Sequence, residues 1–150
     1  MRGLRFLVLL GCVVAMPSFV MAKHLALVAD IGNSTTNLSS ADLAKIFAAH
    51  MRNWPDGKTI TIVMQDPSSA DMQVVVRKLF NMNSDQARAF IHAHPGMVVL
   101  ADSDEAVIRF VTTTRGAIGV VDLYSLTKDV NVLKVDGKLP VEPGYLLRGN

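Results

Sequence analysis

The chain has 150 residues, half of them hydrophobic, with 15 basic and 13 acidic side chains and a single cysteine. That length suffices for one domain with a real core but hardly for two. The slight positive charge gives no support to a nucleic-acid or acidic-membrane partner, because Arg2 and Arg5 supply all of it and lie in a segment expected to be removed.

That segment is residues 1–22. Arg2 and Arg5 precede an apolar run from Phe6 to Met16, Pro17 interrupts it, and Val20-Met21-Ala22 offers the small residues that a signal peptidase accepts. A signal peptide cleaved near Ala22 is expected, giving a periplasmic or secreted product that begins at Lys23. A spanning helix needs about 20 unbroken apolar residues, which Pro17 and Ser18 prevent. Leu9-Leu10-Gly11-Cys12 also resembles a lipoprotein cleavage motif. Its use would lipidate Cys12, but it leaves a short apolar run and ignores the better site at Ala22. Since Cys12 is the sole cysteine, the exported chain forms no disulfide and rests on its core.

In the remaining domain, 23–150, Leu25 to Ala29 reads as a strand closed by Asp30, followed by a polar loop through Gly32, Asn33 and Ser34. Leu38, Ser39, Asp42 and Leu43 combine a staple with a capping box, so a helix is expected from Ser40 with Leu43, Ile46 and Phe47 inward. Asn53-Trp54-Pro55-Asp56-Gly57 is turn-rich. Trp54 there either covers a sugar or base or, more commonly, anchors the loop.

Ile60 to Met64 then reads as a strand buried on both faces, turning at Asp66, Pro67, Ser68 and Ser69 into a helix. Ser68 and Asp71 match a capping box, which would place Ser68 where free N–H groups open the helix, a position suited to an anion. The plainer alternative is that Ser68 merely caps the helix and Pro67 stiffens the turn. Met72, Val75, Val76, Leu79 and Phe80 form the helix's apolar face, with Arg77 and Lys78 outside it.

Asn83 with Gln86 opens a further helix through Ala87, Phe90 and Ile91, ended by Pro95-Gly96. Met97 to Leu100 is a short strand. Asp102 with Glu105 caps the next helix, Val107, Ile108 and Val111 point inward, and Arg115-Gly116 stops it. Ala117 to Val121 is a buried strand ending at Asp122. Val132 to Val135, the turn Asp136-Gly137, and Tyr145 to Leu147 predict a C-terminal hairpin and a last strand. The alternation predicts an α/β domain with a mostly parallel sheet and helices on both faces. Asp30, Asp66, Asp102 and Asp122 are then expected beyond carboxyl ends, where open sheets bind ligands.

Other chemistries find little footing. There is no Gly-x-Ser-x-Gly elbow and no thiol after cleavage, so an enzyme is not expected. His92 and His94 have the wrong spacing for a zinc helix, and no calcium-type set of oxygen ligands is present, so neither metal nor cofactor is expected. The eight methionines are scattered through apolar faces and read as core filling.

Three stretches, Leu38 to Gly57, Asp66 to Ser69 with its helix, and Ser103 to Val121, together resemble one lobe of the phosphate-binding proteins of ABC transporters, in the type 2 periplasmic binding protein superfamily. The first is similar to the family's segment ending Asn-Trp-x-Asp-Gly, the last to its Pro-Gly-Ala-Ile-Gly-Tyr-Val strand. The resemblance implies two lobes in full-length relatives, of which this chain has the length of one. The family's phosphate loop reads Arg-x-Asp-x-Ser-Gly-Thr. Aligned on Asp66, this chain keeps Asp66 and Ser68 but has Met64, Ser69 and Ala70 in place of the arginine, glycine and threonine. The resemblance thus implies a non-catalytic, solute-binding role, with phosphate or another small oxyanion held weakly by Asp66, Ser68, Ser69 and Ala70. Losing the guanidinium removes a bidentate partner, and Arg77 lies too far down the helix to replace it. An ABC transporter is the implied partner. The alternative is an envelope interaction module that keeps the lobe as a scaffold for self-association or another protein.

Overall fold

The computed structural model describes residues 24–149. The signal peptide expected over 1–22 and the motif at Cys12 lie outside the described residues. A five-stranded sheet forms the centre: β1 (Leu25–Asp30), β3 (Thr61–Met64), β4 (Val98–Leu100), β5 (Ala117–Asp122) and β6 (Val130–Val132), in the order β4-β3-β5-β1-β6. β3 pairs parallel with β4 and β5, while β1 runs antiparallel to both β5 and β6. Four strands therefore point one way and β1 alone is reversed. A second small sheet joins β2 (Asn37–Leu38) in parallel to β7 (Lys134–Val135).

Alternation along the strands builds two cores, one on each face. Leu25, Leu27, Ile62, Met64, Ile118 and Val120 face α1 (Ser40–Phe47), the helical run 70–80 and α3 (Ser84–Ala93). Val28, Val63, Ala117 and Val121 face α4 (Asp104–Thr113), which contributes Val107, Ile108 and Val111. Gly119 sits under α4 because nothing larger fits. A methyl there would lie 2.8 Å from Val107 Cγ1 and from Val111 Cγ2, and 3.1 Å from Val28 Cγ2.

The caps at Ser39 and Asn83 form as read. Ser39 Oγ accepts from Asp42 N at 3.0 Å, and Asn83 and Gln86 make a reciprocal box. Two other expectations are corrected. α4 is capped by Ser103, whose Oγ accepts from Ala106 N at 3.1 Å, and not by Asp102. Tyr145 to Leu147 is no strand: the backbone turns repeatedly, and the buried Tyr145 reaches inward to accept from Leu27 N and donate to Leu133 O. The hairpin turn itself is present. Val135 and Lys138 exchange both backbone bonds at 3.0 Å around Asp136-Gly137, whose positive φ angles suit a two-residue loop.

Trp54 anchors its loop. It is buried, and its Nε1–H donates to Gly116 O at 2.9 Å. Gly116 has φ 87, and a Cβ there would fall 2.3 Å from Thr59 O, so the close crossing of these two segments requires glycine.

Candidate functional site

Because β1 is reversed, the acidic strand ends do not gather at one place. Asp66, Asp102 and Asp122 follow strands β3, β4 and β5, all pointing the same way. Asp30 lies at the opposite end, where its Oδ1 accepts from Gly116 N, ahead of β5. The expectation that all four share one rim is thus corrected by a single antiparallel pairing.

At the carboxyl end, the loop after β3 closes on itself. Asp66 Oδ1 accepts from Ser68 N at 2.8 Å, from the Ser68 hydroxyl, and from Arg88 Nη2 at 2.8 Å. Arg88 Nη2 also donates to Ser68 Oγ at 2.8 Å. The Ser69 amide donates to the Asp66 carbonyl at 3.0 Å. The capping box expected at Ser68 and Asp71 therefore does not form: the nearer Asp66 carboxylate takes both Ser68 donors, and Ser69 occupies the cap position without a side-chain bond. The helix also starts late and irregularly, as a 3-10 turn at Ala70–Met72, an α turn, α2 (Gln73–Val75), and a π turn at Val76–Phe80.

Of the four residues singled out by sequence, Asp66 and Ser68 meet directly, and Ser69 and Ala70 complete the turn. Ser69 Oγ is buried without a hydrogen-bond partner. The residue the sequence did not reveal is Arg88. It sits on α3, 22 residues beyond Asp66, and no local pattern marks it. α3 is brought alongside by Gln73, whose Nε2 amide group lies 3.1 Å from each of Pro67 O, Ser69 O and Ser84 Oγ and shares its two hydrogens among them. A guanidinium thus stands at the loop although Met64 occupies the position of the family's arginine.

The electrostatics follow from this geometry. Ser68's hydroxyl, then its amide, then Arg88 hold the Asp66 carboxyl down at about 2, and Asp66 in turn raises Arg88. Both side chains are about half exposed, so the ion pair is screened by water and orders the loop more than it stabilises the fold. Beside the loop, Asp104 accepts from Gln65 Nε2 at 2.8 Å, Asp122 N at 3.1 Å and Ser125 Oγ at 2.7 Å, tying β3, β5 and α4 together at the same rim. Arg88 also borders a largely apolar groove of about 410 Å³ with Ala89, Ile91, His92 and Leu100.

Among the described residues, no group of three or more His, Cys, Asp or Glu is placed to hold a metal ion. His94 Nδ1 lies 2.8 Å from Phe90 O and its ring packs on Phe90, which accounts for it structurally. No helix among these residues is long and apolar enough to cross a membrane.

A mixed sheet covered on both faces, with a polar strand-to-helix loop at the carboxyl rim, is the architecture of a binding-protein lobe. A family model described as a PBP superfamily domain matches residues 14–144, and the chain belongs to that family. It is 31% identical over 109 residues to phosphate-binding protein PstS of Bacillus subtilis (strain 168), covering 69% of this chain and 33% of that protein. It is 29% identical over 129 residues to a Pseudomonas aeruginosa protein named alkaline phosphatase L, covering 74% of this chain and 35% of that one. Among solved structures, PstS from Borrelia burgdorferi superposes with a TM-score of 0.69 at 24% identity, covering 86% of this chain and 55% of that one. An ABC-type phosphate transport receptor from Vibrio cholerae gives 0.68 at 20% identity, covering 85% and 55%. At those identities the structures speak for the fold alone. The chain spans about a third of the curated relatives it matches and about half of these solved structures.

Proposed function

We propose that this chain is an exported, non-catalytic binding-protein lobe that takes phosphate or a similar small oxyanion weakly at the loop Asp66 to Ala70, in connection with ABC transport. The observation that carries the reading is Arg88. Its guanidinium reaches Ser68 and Asp66 from α3 and restores a cation to a loop whose sequence lacks one. The orphaned Ser69 Oγ is a further donor that a small reorganisation of the turn would offer. In this reading Arg88 and Ser68 donate to the anion with the Ala70 amide. Asp66 accepts from a protonated ligand oxygen, which favours hydrogen phosphate over sulfate.

Binding is weak for two physical reasons. The anion must compete with Asp66 for donors already engaged, and an open rim leaves it hydrated. Calorimetric titration with phosphate and sulfate tests this directly. A millimolar, phosphate-selective isotherm weakened at least tenfold in Arg88→Gln is expected; no heat up to tens of millimolar phosphate removes the solute-binding reading.

One observation favours the alternative, an envelope interaction module. The loop satisfies Ser68 and Ser69 amides internally, and the same rim exposes Tyr124, 86% accessible, and Leu100. Light scattering after size exclusion separates the two readings. A concentration-dependent dimer blind to phosphate supports the module; a monomer that binds phosphate supports the anion site.

A further inference from the structure

At the sheet's other end lies a second cavity, of about 460 Å³, walled by Asp30, Gly32, Thr112, Thr113, Arg115 and Asp129. Its floor is unusual. Asp30 is only 7% exposed, yet of its two carboxylate oxygens only Oδ1 is served, by Gly116 N at 3.2 Å. No described residue hydrogen-bonds to Oδ2 or forms an ion pair with it. Gly32 keeps the space beside Oδ2 open: a Cβ there would lie 3.2 Å from Oδ2 and 3.9 Å from Arg115 Nη1. The carboxylate and the guanidinium therefore stand within about 7 Å of each other without pairing. In the same turn Asn33, also 7% exposed, keeps its Nδ2 without an acceptor, although its backbone N–H donates to Asp30 O.

The second oxygen of this carboxylate opens into the cavity and is a ready acceptor for a cationic group there. Arg115, which forms no ion pair with another described residue, faces the same space from the rim. What satisfies both is a molecule carrying the two opposite charges on groups attached to the same carbon. We propose that this cavity binds a small zwitterion of the α-amino acid class, with its ammonium on Asp30 Oδ2 and its carboxylate on Arg115. The spacing suits it: charges roughly 3 Å apart, with a charge-assisted bond of about 2.8 Å at either side, bridge groups up to about 8 Å apart. The flanking Asp129 disfavours a free anion such as phosphate. This site is separate from the loop at Asp66, and its test does not depend on that one.

The test is an amide NMR titration of the folded protein with glycine and lysine, using methylammonium and acetate as single-charge probes. Saturable shifts at the Gly32, Thr113 and Gly116 amides are expected with both amino acids at millimolar concentration, and binding of either single-charge probe is expected to be at least about tenfold weaker. Asp30→Asn keeps the Oδ1 acceptor for Gly116 while removing the charge, and Arg115→Gln removes the other charge; each should weaken amino-acid binding about tenfold or more. If Asp30→Asn does not fold, the exposed Arg115→Gln carries the decision. No saturable shift with either amino acid, or binding undiminished in the folded variants, overturns the proposal.

Discussion

Replacing Gly119 by alanine probes the contact on which the rim's geometry depends. The new methyl would meet Val107 Cγ1 and Val111 Cγ2 at 2.8 Å and Val28 Cγ2 at 3.1 Å, whereas carbon pairs rest at roughly 3.5–4.0 Å. All three neighbours are buried, so α4 must lift from β5. Overpacking of this kind costs about 1–3 kcal/mol. The reduced freedom of the unfolded chain returns roughly 0.4–1 kcal/mol, and the buried methyl returns up to ~0.8 kcal/mol. A net loss of about 1 kcal/mol is expected, which at a urea slope of roughly 1–2 kcal/mol/M lowers the midpoint by about 0.5–1 M. Trp54, the single tryptophan and buried, reports the unfolding by fluorescence. Because Val111 is one of the two colliding partners, Val111→Ala should make room: the double variant should lose less than the sum of the singles by about 0.5 kcal/mol or more. A midpoint unchanged or raised in Gly119→Ala, or strictly additive singles, would refute the packing argument.

Three further outcomes follow from the same geometry. In Trp54→Phe, loss of the buried bond to Gly116 O should cost about 1 kcal/mol and lower Tm by roughly 4 °C; an unchanged melting curve by circular dichroism would show that the bond contributes nothing. Burial pushes Tyr145 up from 10.0 to about 12, so the unfolded chain loses its proton first and stability falls as pH rises from about 10 towards 12. By linkage the loss approaches roughly 2–3 kcal/mol, and urea midpoints in Tyr145→Phe should lack that component. Asp66 is held below its ordinary 3.8 at about 2, so the loop's contribution is full above 3.8 and is lost as pH falls through about 2. Since Ser68's bonds are the larger cause, Ser68→Ala should raise the Asp66 midpoint, followed by carboxyl carbon NMR, more than Arg88→Gln does; the reverse order would contradict the assignment.

Much of this molecule was legible before folding because its signals are local. The caps at Ser39 and Asn83, the inward stripe of Val107, Ile108 and Val111, the Asp136-Gly137 turn and the stop at Gly116 each depend on neighbours a few residues away. Local reading failed where two local partners competed. Ser68 had Asp66 two residues before and Asp71 three after, and the upstream carboxylate won. Asp102 yielded its cap to Ser103 in the same way.

The amino-acid order by itself determined an α/β domain, its two-faced core and the position of a polar loop at the end of a buried strand, since periodicity and capping are written in contiguous residues. Only the tertiary structure decided the direction of β1, which removes Asp30 from that rim and sets it in a cavity facing Arg115. It also decided the arrival of Arg88 at Asp66 and Ser68. Both depend on which distant segments pack side by side, and no short stretch of chain encodes a neighbour 22 or 86 residues away.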